Sequence, residues 1–69
     1  MNTVKTITPL SKREIDIYNL LVDGLTFDEI AEKCFVAPRT VKFHAQNIYH
    51  KCQVPSRLKL IVQHYKAAA

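Results

Sequence analysis

After Glu32 the chain contains no acidic residue. Residues 1–32 carry three cations (Lys5, Lys12, Arg13) against six acids (Glu14, Asp16, Asp23, Asp28, Glu29, Glu32), a balance of −3. Residues 33–69 carry seven cations (Lys33, Arg39, Lys42, Lys51, Arg57, Lys59, Lys66) and nothing of the opposite sign, a balance of +7. The overall charge of +4 therefore conceals a polarised chain. An unbroken cationic half suits a polyanionic partner, although charge by itself serves equally well a face selected for solubility.

Other absences narrow the class. No stretch approaches the ~20 apolar residues that span a bilayer, so no membrane partner is expected. Met1 to Pro9 holds no apolar core of the kind a secretory signal needs. Two cysteines allow at most one bridge, which excludes a disulfide scaffold. Cys34, His44, His50, Cys52 and His64 include no close C-x-x-C or H-x-x-x-H pair. The cysteines lie 18 positions apart, so neither a metal nor any other cofactor is expected. A nucleophile built from Cys52 and His50 is disfavoured because Cys52 falls on a buried stripe. No catalytic residue is assigned, and the chain does not read as an enzyme. Its 69 residues leave room for one small domain, and 48% hydrophobic with 23% charged content is globular rather than disordered.

The local signals are helical. Ser11-Lys12-Arg13-Glu14 is a capping box with Leu10 placed as a hydrophobic staple. Ile15, Ile17, Tyr18, Leu20, Leu21 and Val22 follow at helical spacing, and Gly24 supplies a left-handed stop. Thr26-Phe27-Asp28-Glu29 is a second capping box, opening a short helix to about Cys34 with its acids at the favoured end of the dipole. Phe35-Val36-Ala37 is a three-residue connector. Pro38 fits the first position of a third helix reaching about Cys52, and Pro55-Ser56 breaks the chain before a fourth, from about Ser56 to Lys66. No strand alternation or repeat intervenes. The expected fold is all-α, four helices, with the second and third in a helix-turn-helix arrangement. Residues 1–9 read as a flexible N-terminal arm, 10–66 as the domain and 67–69 as a frayed tail.

The third helix has two unlike faces. At about 100° per residue, Val41, Ala45, Ile48 and Cys52 fall within roughly 60° of arc, the expected buried stripe. Arg39, Lys42, Phe43, Gln46 and His50 fall opposite, with Thr40, Asn47, Lys51 and His44 along the edges. Lysine and glutamine suit the hydrogen-bonding edges of guanine and adenine in a major groove. Lys42, Phe43 and Gln46 are thus candidate base-reading residues. Arg39, Thr40, Asn47, His50 and Lys51 are candidate phosphate contacts, which position a helix without reading sequence. His44, nearer the core, is expected to be a packed structural histidine.

These residues resemble the LuxR/GerE-type helix-turn-helix regulators of bacteria. The resemblance covers about Leu10 to Ile61. It is carried by Leu10-Ser11-x-Arg13-Glu14, Gly24-Leu25-Thr26, Glu29-Ile30-Ala31, Thr40-Val41-Lys42-x-His44, Asn47-Ile48-Tyr49-x-Lys51, Val54 and Arg57. It implies a bacterial, cytoplasmic, sequence-specific regulator of transcription, associated with the nucleoid when bound. Its third helix would enter the major groove of double-stranded DNA, and promoter occupancy would recruit or block RNA polymerase. It also implies bases facing Lys42, Phe43 and Gln46, backbone held by Thr40 and Lys51, and a homodimer contact on the fourth helix. There Leu58, Ile61, Val62 and Tyr65 share one face that should complete the core. Leu60 and His64 project elsewhere and are the expected dimer residues. Such a dimer would set two recognition helices about one DNA turn apart.

The chain departs from the family pattern at several places. Phe27-Asp28 replaces a common Asn-Lys pair, losing a phosphate contact. Ala37 stands where a serine cap is usual, at a cost of ~1 kcal/mol. Gln53 occupies a joint normally filled by glycine. Cys34 and Cys52 stand at leucine positions and read as small buried hydrophobes. The rival function is a protein-interaction module that docks its basic face or fourth helix on a regulatory partner. The absence of acids after Glu32 argues against it.

Overall fold

Ser11 and Thr26 start the first two helices by the same device. The Ser11 hydroxyl accepts from the Glu14 backbone N–H at 3.1 Å while the Glu14 carboxylate accepts from the Ser11 N–H at 2.9 Å. Thr26 and Glu29 repeat the exchange at 3.1 and 2.8 Å. Each box satisfies two backbone donors that a helix start would otherwise leave open. The computed structural model describes residues 9–68, so the expected arm at 1–9 lies outside the described residues but for Pro9, as does Ala69. The elements are α1 (Lys12–Val22), α2 (Phe27–Cys34), α3 (Pro38–Cys52) and α4 (Arg57–Ala68). No strand occurs among the described residues, and the all-α expectation holds.

The first three helices also end alike. Leu25, Val36 and Val54 each donate a backbone N–H to the carbonyl five residues back, at 3.3, 3.0 and 2.9 Å. Before each stands a left-handed residue: Gly24 at φ +91°, Phe35 at +59° and Gln53 at +59°. The apolar residue after each left-handed one packs against the core, as Schellman closures commonly arrange. Glycine takes this backbone without strain; at Phe35 and Gln53 a Cβ carries a cost of ~1–2 kcal/mol. The strain at Gln53 matches the reading of that joint. The one at Phe35 has no signal in the length of the connector.

Packing centres on α3, which lies against both α1 and α2, while α4 lies chiefly along α1. Ile17 and Leu21 of α1, Ile30 of α2, and Val41, Ala45 and Ile48 of α3 are fully enclosed. The expected α3 stripe is therefore the buried side, with Cys52 half-buried at its end. Cys34 is buried among the same residues, as its reading as a small hydrophobe required.

On α4 the expected orientation is wrong. Leu60, expected at a dimer contact, is completely buried in the core, while Leu58 (68% exposed), Val62 and Tyr65, expected inside, face outward. The inward residues Arg57, Leu60, Ile61 and His64 do form one helical face, but two are polar. Hydropathy therefore favoured the opposite stripe. The polar pair is drawn inward chiefly by partners on α1: the Arg57 guanidinium reaches the Leu21 carbonyl at its end, and the Leu25 carbonyl just beyond, while the His64 ring meets the Tyr18 hydroxyl. His64, the other expected dimer residue, is thus held within the chain.

Both ends of α4 also differ from expectation. Ser56 stays outside the helix as its cap, with its hydroxyl accepting from the Lys59 N–H at 3.3 Å. The helix runs past Lys66 through Ala67 to Ala68, into the stretch expected as a tail. Alanine has the highest helix propensity, which accounts for the extension.

Candidate nucleic-acid interface

With its stripe of Val41, Ala45 and Ile48 packed away, α3 turns Arg39, Lys42, Phe43, Gln46 and His50 to solvent. These positions recur every three or four residues and so form one continuous face. Thr40, His44 and Asn47 are half-buried along its edges. No acid occurs on α3, so the face presents two cations, an amide, an imidazole and a phenyl ring with no carboxylate to repel a polyanion. His44 packs edge-on against the Phe43 ring, with centroids 5.9 Å apart.

The N-terminal end of α3 adds a second feature. Pro38 occupies the first turn and Ala37 supplies no side-chain cap. The Arg39 N–H therefore lacks the acceptor that a serine there would offer. With Thr40 and Val41 both donating to the Ala37 carbonyl, the open Arg39 N–H and the positive end of the dipole favour an external anion.

Lys51 does not join this face. Its ammonium lies 2.7 Å from Glu14 Oε1, and the two side chains are 25% and 8% exposed. Glu14 is thereby the meeting point of α1 and α3, accepting at the same oxygen from the Ser11 N–H. The Lys51 ammonium and then the Ser11 N–H hold its carboxyl below the usual carboxylate range, against the opposing effect of burial. Lys51, expected at a phosphate, turns its ammonium to this carboxylate in the free chain: a nearly buried acid needs a cation, and Lys51 provides it.

Arg57 is likewise committed internally. Its guanidinium donates to the Leu21 carbonyl at 3.1 and 3.0 Å and to the Leu25 carbonyl, tying the start of α4 to the α1–α2 corner. It also lies over the Phe27 ring, 5.9 Å from the centroid. Phe27, read from the sequence as a lost phosphate contact, thus packs beneath a cation that fixes the corner. The signal for this was available in the pairing of an aromatic at 27 with an arginine at 57, but the distance of 30 positions hides it.

A further surface lies on α4. Leu58, Val62 and Tyr65 occupy one exposed stripe. Tyr65 is braced by His64 at 5.1 Å between ring centroids, and His64 by Tyr18 through a 2.9 Å hydrogen bond. Burial pushes the Tyr18 hydroxyl above its ordinary pKa, so it stays protonated as a partner for the imidazole. Burial, and next the Glu14 charge, likewise push up the Cys52 thiol, which suits a packed rather than a reactive cysteine. Among the described residues no group of three or more histidine, cysteine or acidic side chains could hold a metal ion. Among them, too, no helix is long and apolar enough to cross a membrane.

Comparison with known proteins gives a match over residues 8–63 to the family described as bacterial regulatory proteins, luxR family. The chain is 45% identical over 56 residues to the fimbriae Z protein of Escherichia coli K12, covering 81% of this chain and 27% of that one. It is 39% identical over 54 residues to the uncharacterized transcriptional regulatory protein YxjL of Bacillus subtilis, covering 78% and 25%. It is 34% identical over 55 residues to the transcriptional regulator MalT of Vibrio campbellii, covering 80% and 6%. The chain thus spans about a quarter or less of the length of these relatives. No solved structure gives a significant match.

Proposed function

The chain belongs to the luxR family of bacterial regulatory proteins, and on that premise we propose that it is a double-stranded DNA-binding unit of transcription control, with α3 seated in the major groove. The observation that carries this reading is the acid-free exposed face of α3. Lys42 and Gln46 carry the hydrogen-bonding groups for base edges, and Phe43 stands between them. Arg39, Thr40, Asn47 and His50, with the uncapped start of α3, hold phosphates on either side. Occupancy of a promoter then recruits or obstructs RNA polymerase.

Two copies read an inverted repeat, joined through the outward stripe of α4. Leu58, Val62 and Tyr65 take the place of the pair expected from sequence, since an apolar exposed stripe gains by burial against its own copy. No acid stands on α3 itself: Glu14 is paired internally with Lys51, and Asp28 and Glu29 lie in the first turn of α2.

Fluorescence anisotropy tests this reading on duplexes enriched from a randomised pool, over a salt series. An enriched inverted repeat is expected, with log K falling by several units per log unit of salt as phosphates release counterions. Enrichment of a single half-site would leave the DNA function and remove the dimer. No enrichment and no salt-dependent binding would overturn the reading and leave a protein-docking module, for which the α4 stripe is the natural surface.

A further inference from the structure

Phe43 stands near the middle of the exposed α3 face with 63% of its surface open to solvent. The core closes without it: it is neither among the buried residues nor among those packed against them. Its ring is nevertheless not free, because the His44 imidazole meets it edge-on at 63° between planes. The neighbours on the face, Lys42 and Gln46, offer hydrogen bonds, whereas a phenyl ring offers none.

A ring presented in this way can recognise only an apolar group. In the major groove the edges of guanine, adenine and cytosine consist of donors and acceptors, and thymine alone adds an apolar group, its C5-methyl. A phenyl pressed on any other edge strips water from polar atoms and returns no hydrogen bond. We propose that Phe43 makes the chain selective for thymine at one position of each half-site by packing against the C5-methyl. Lys42 and Gln46 read the base pairs beside it. This rests on the major-groove reading of α3 given above.

The test uses the whole chain and the duplex it enriches from a randomised pool. Each thymine of that duplex is replaced singly by deoxyuridine, which removes the methyl and leaves every hydrogen-bonding group in place. The expected result is one thymine per half-site at which uracil weakens binding roughly fourfold, the worth of one buried methyl, with little change elsewhere. Phe43→Ala is expected to bind the thymine and uracil duplexes equally, and Phe43→Leu to keep part of the preference. The exposure of Phe43 leaves the fold of both variants intact, which circular dichroism checks. Should Phe43→Ala fail to fold, the uracil scan of the parent and Phe43→Leu still decide. If no uracil weakens the parent, or if Phe43→Ala keeps the same sensitivity, thymine reading by Phe43 is wrong while groove binding stands. If no duplex is enriched at all, both fall.

Discussion

Replacing Lys51 by alanine removes the ammonium that sits 2.7 Å from Glu14 Oε1 and leaves a carboxylate only 8% exposed with the Ser11 N–H as its remaining partner. Fully exposed ion pairs contribute ~0–1 kcal/mol, and stripping one partner from a fully buried pair costs ~3–5 kcal/mol. With Lys51 itself 25% exposed, the loss lies between these limits, at about 2 kcal/mol, as for a hydrogen bond to a charged group. In a domain of this size that lowers Tm by roughly 8–16 °C. The acid range supplies a second readout. A carboxyl with a folded pKa below its unfolded value of roughly 4.3 stabilises the fold fully above that value. The contribution is lost as pH falls through the folded pKa. Lys51 is the largest cause of the depression at Glu14, so Lys51→Ala melts should depend less steeply on pH in the acid range than those of the parent. Circular dichroism melts at neutral and acid pH measure both effects. The reasoning fails if Lys51→Ala melts within about 2 °C of the parent, well short of that range. It fails decisively if, in addition, the variant loses about one unit of salt slope in DNA binding, since Lys51 would then be a phosphate contact.

Four other substitutions probe the remaining assignments. Gln53→Gly relieves the left-handed strain at φ +59° and should raise the denaturant midpoint, by about 1 kcal/mol in stability; a lower midpoint would show that the glutamine side chain contributes more than its backbone costs. Leu60→Ala should cost ~2–5 kcal/mol of fold stability as a core truncation, whereas Leu58→Glu should leave the melt nearly unchanged and abolish self-association in sedimentation. Exchanged outcomes would restore the orientation of α4 expected from hydropathy. Gln46→Ala should alter preference at one base position by ~1–3 kcal/mol in a binding-site selection, and an unchanged preference would remove Gln46 from the reading set.

Much of the candidate site was legible in the residues because its determinants are local. The α3 face follows from spacing alone: Val41, Ala45 and Ile48 define the buried side, and Arg39, Lys42, Phe43, Gln46 and His50 then have only solvent to face. The pairing of Lys51 is not legible in the same way, because its angle on the helix puts it at an edge, where either DNA or a buried acid is within reach of a long side chain. The carboxylate that decides the matter lies 37 positions earlier in the chain. Phe27 and Arg57 show the same limitation.

The sequence by itself determined the first three helices with their starts and stops, since capping boxes, a proline at a first turn and apolar periodicity act over a few residues. It also determined the polarity of the chain, because no acid follows Glu32 anywhere that folding could bring forward from the second half. Only the tertiary structure decided which side of α4 is inside. Two stripes of that helix compete, and the more apolar one loses. The half-buried carbonyls of Leu21 and Leu25 and the Tyr18 hydroxyl need partners, and Arg57 and His64 meet that need while carrying Leu60 into the core. Satisfying those polar groups is a property of where α1 lies, which no local pattern in α4 encodes.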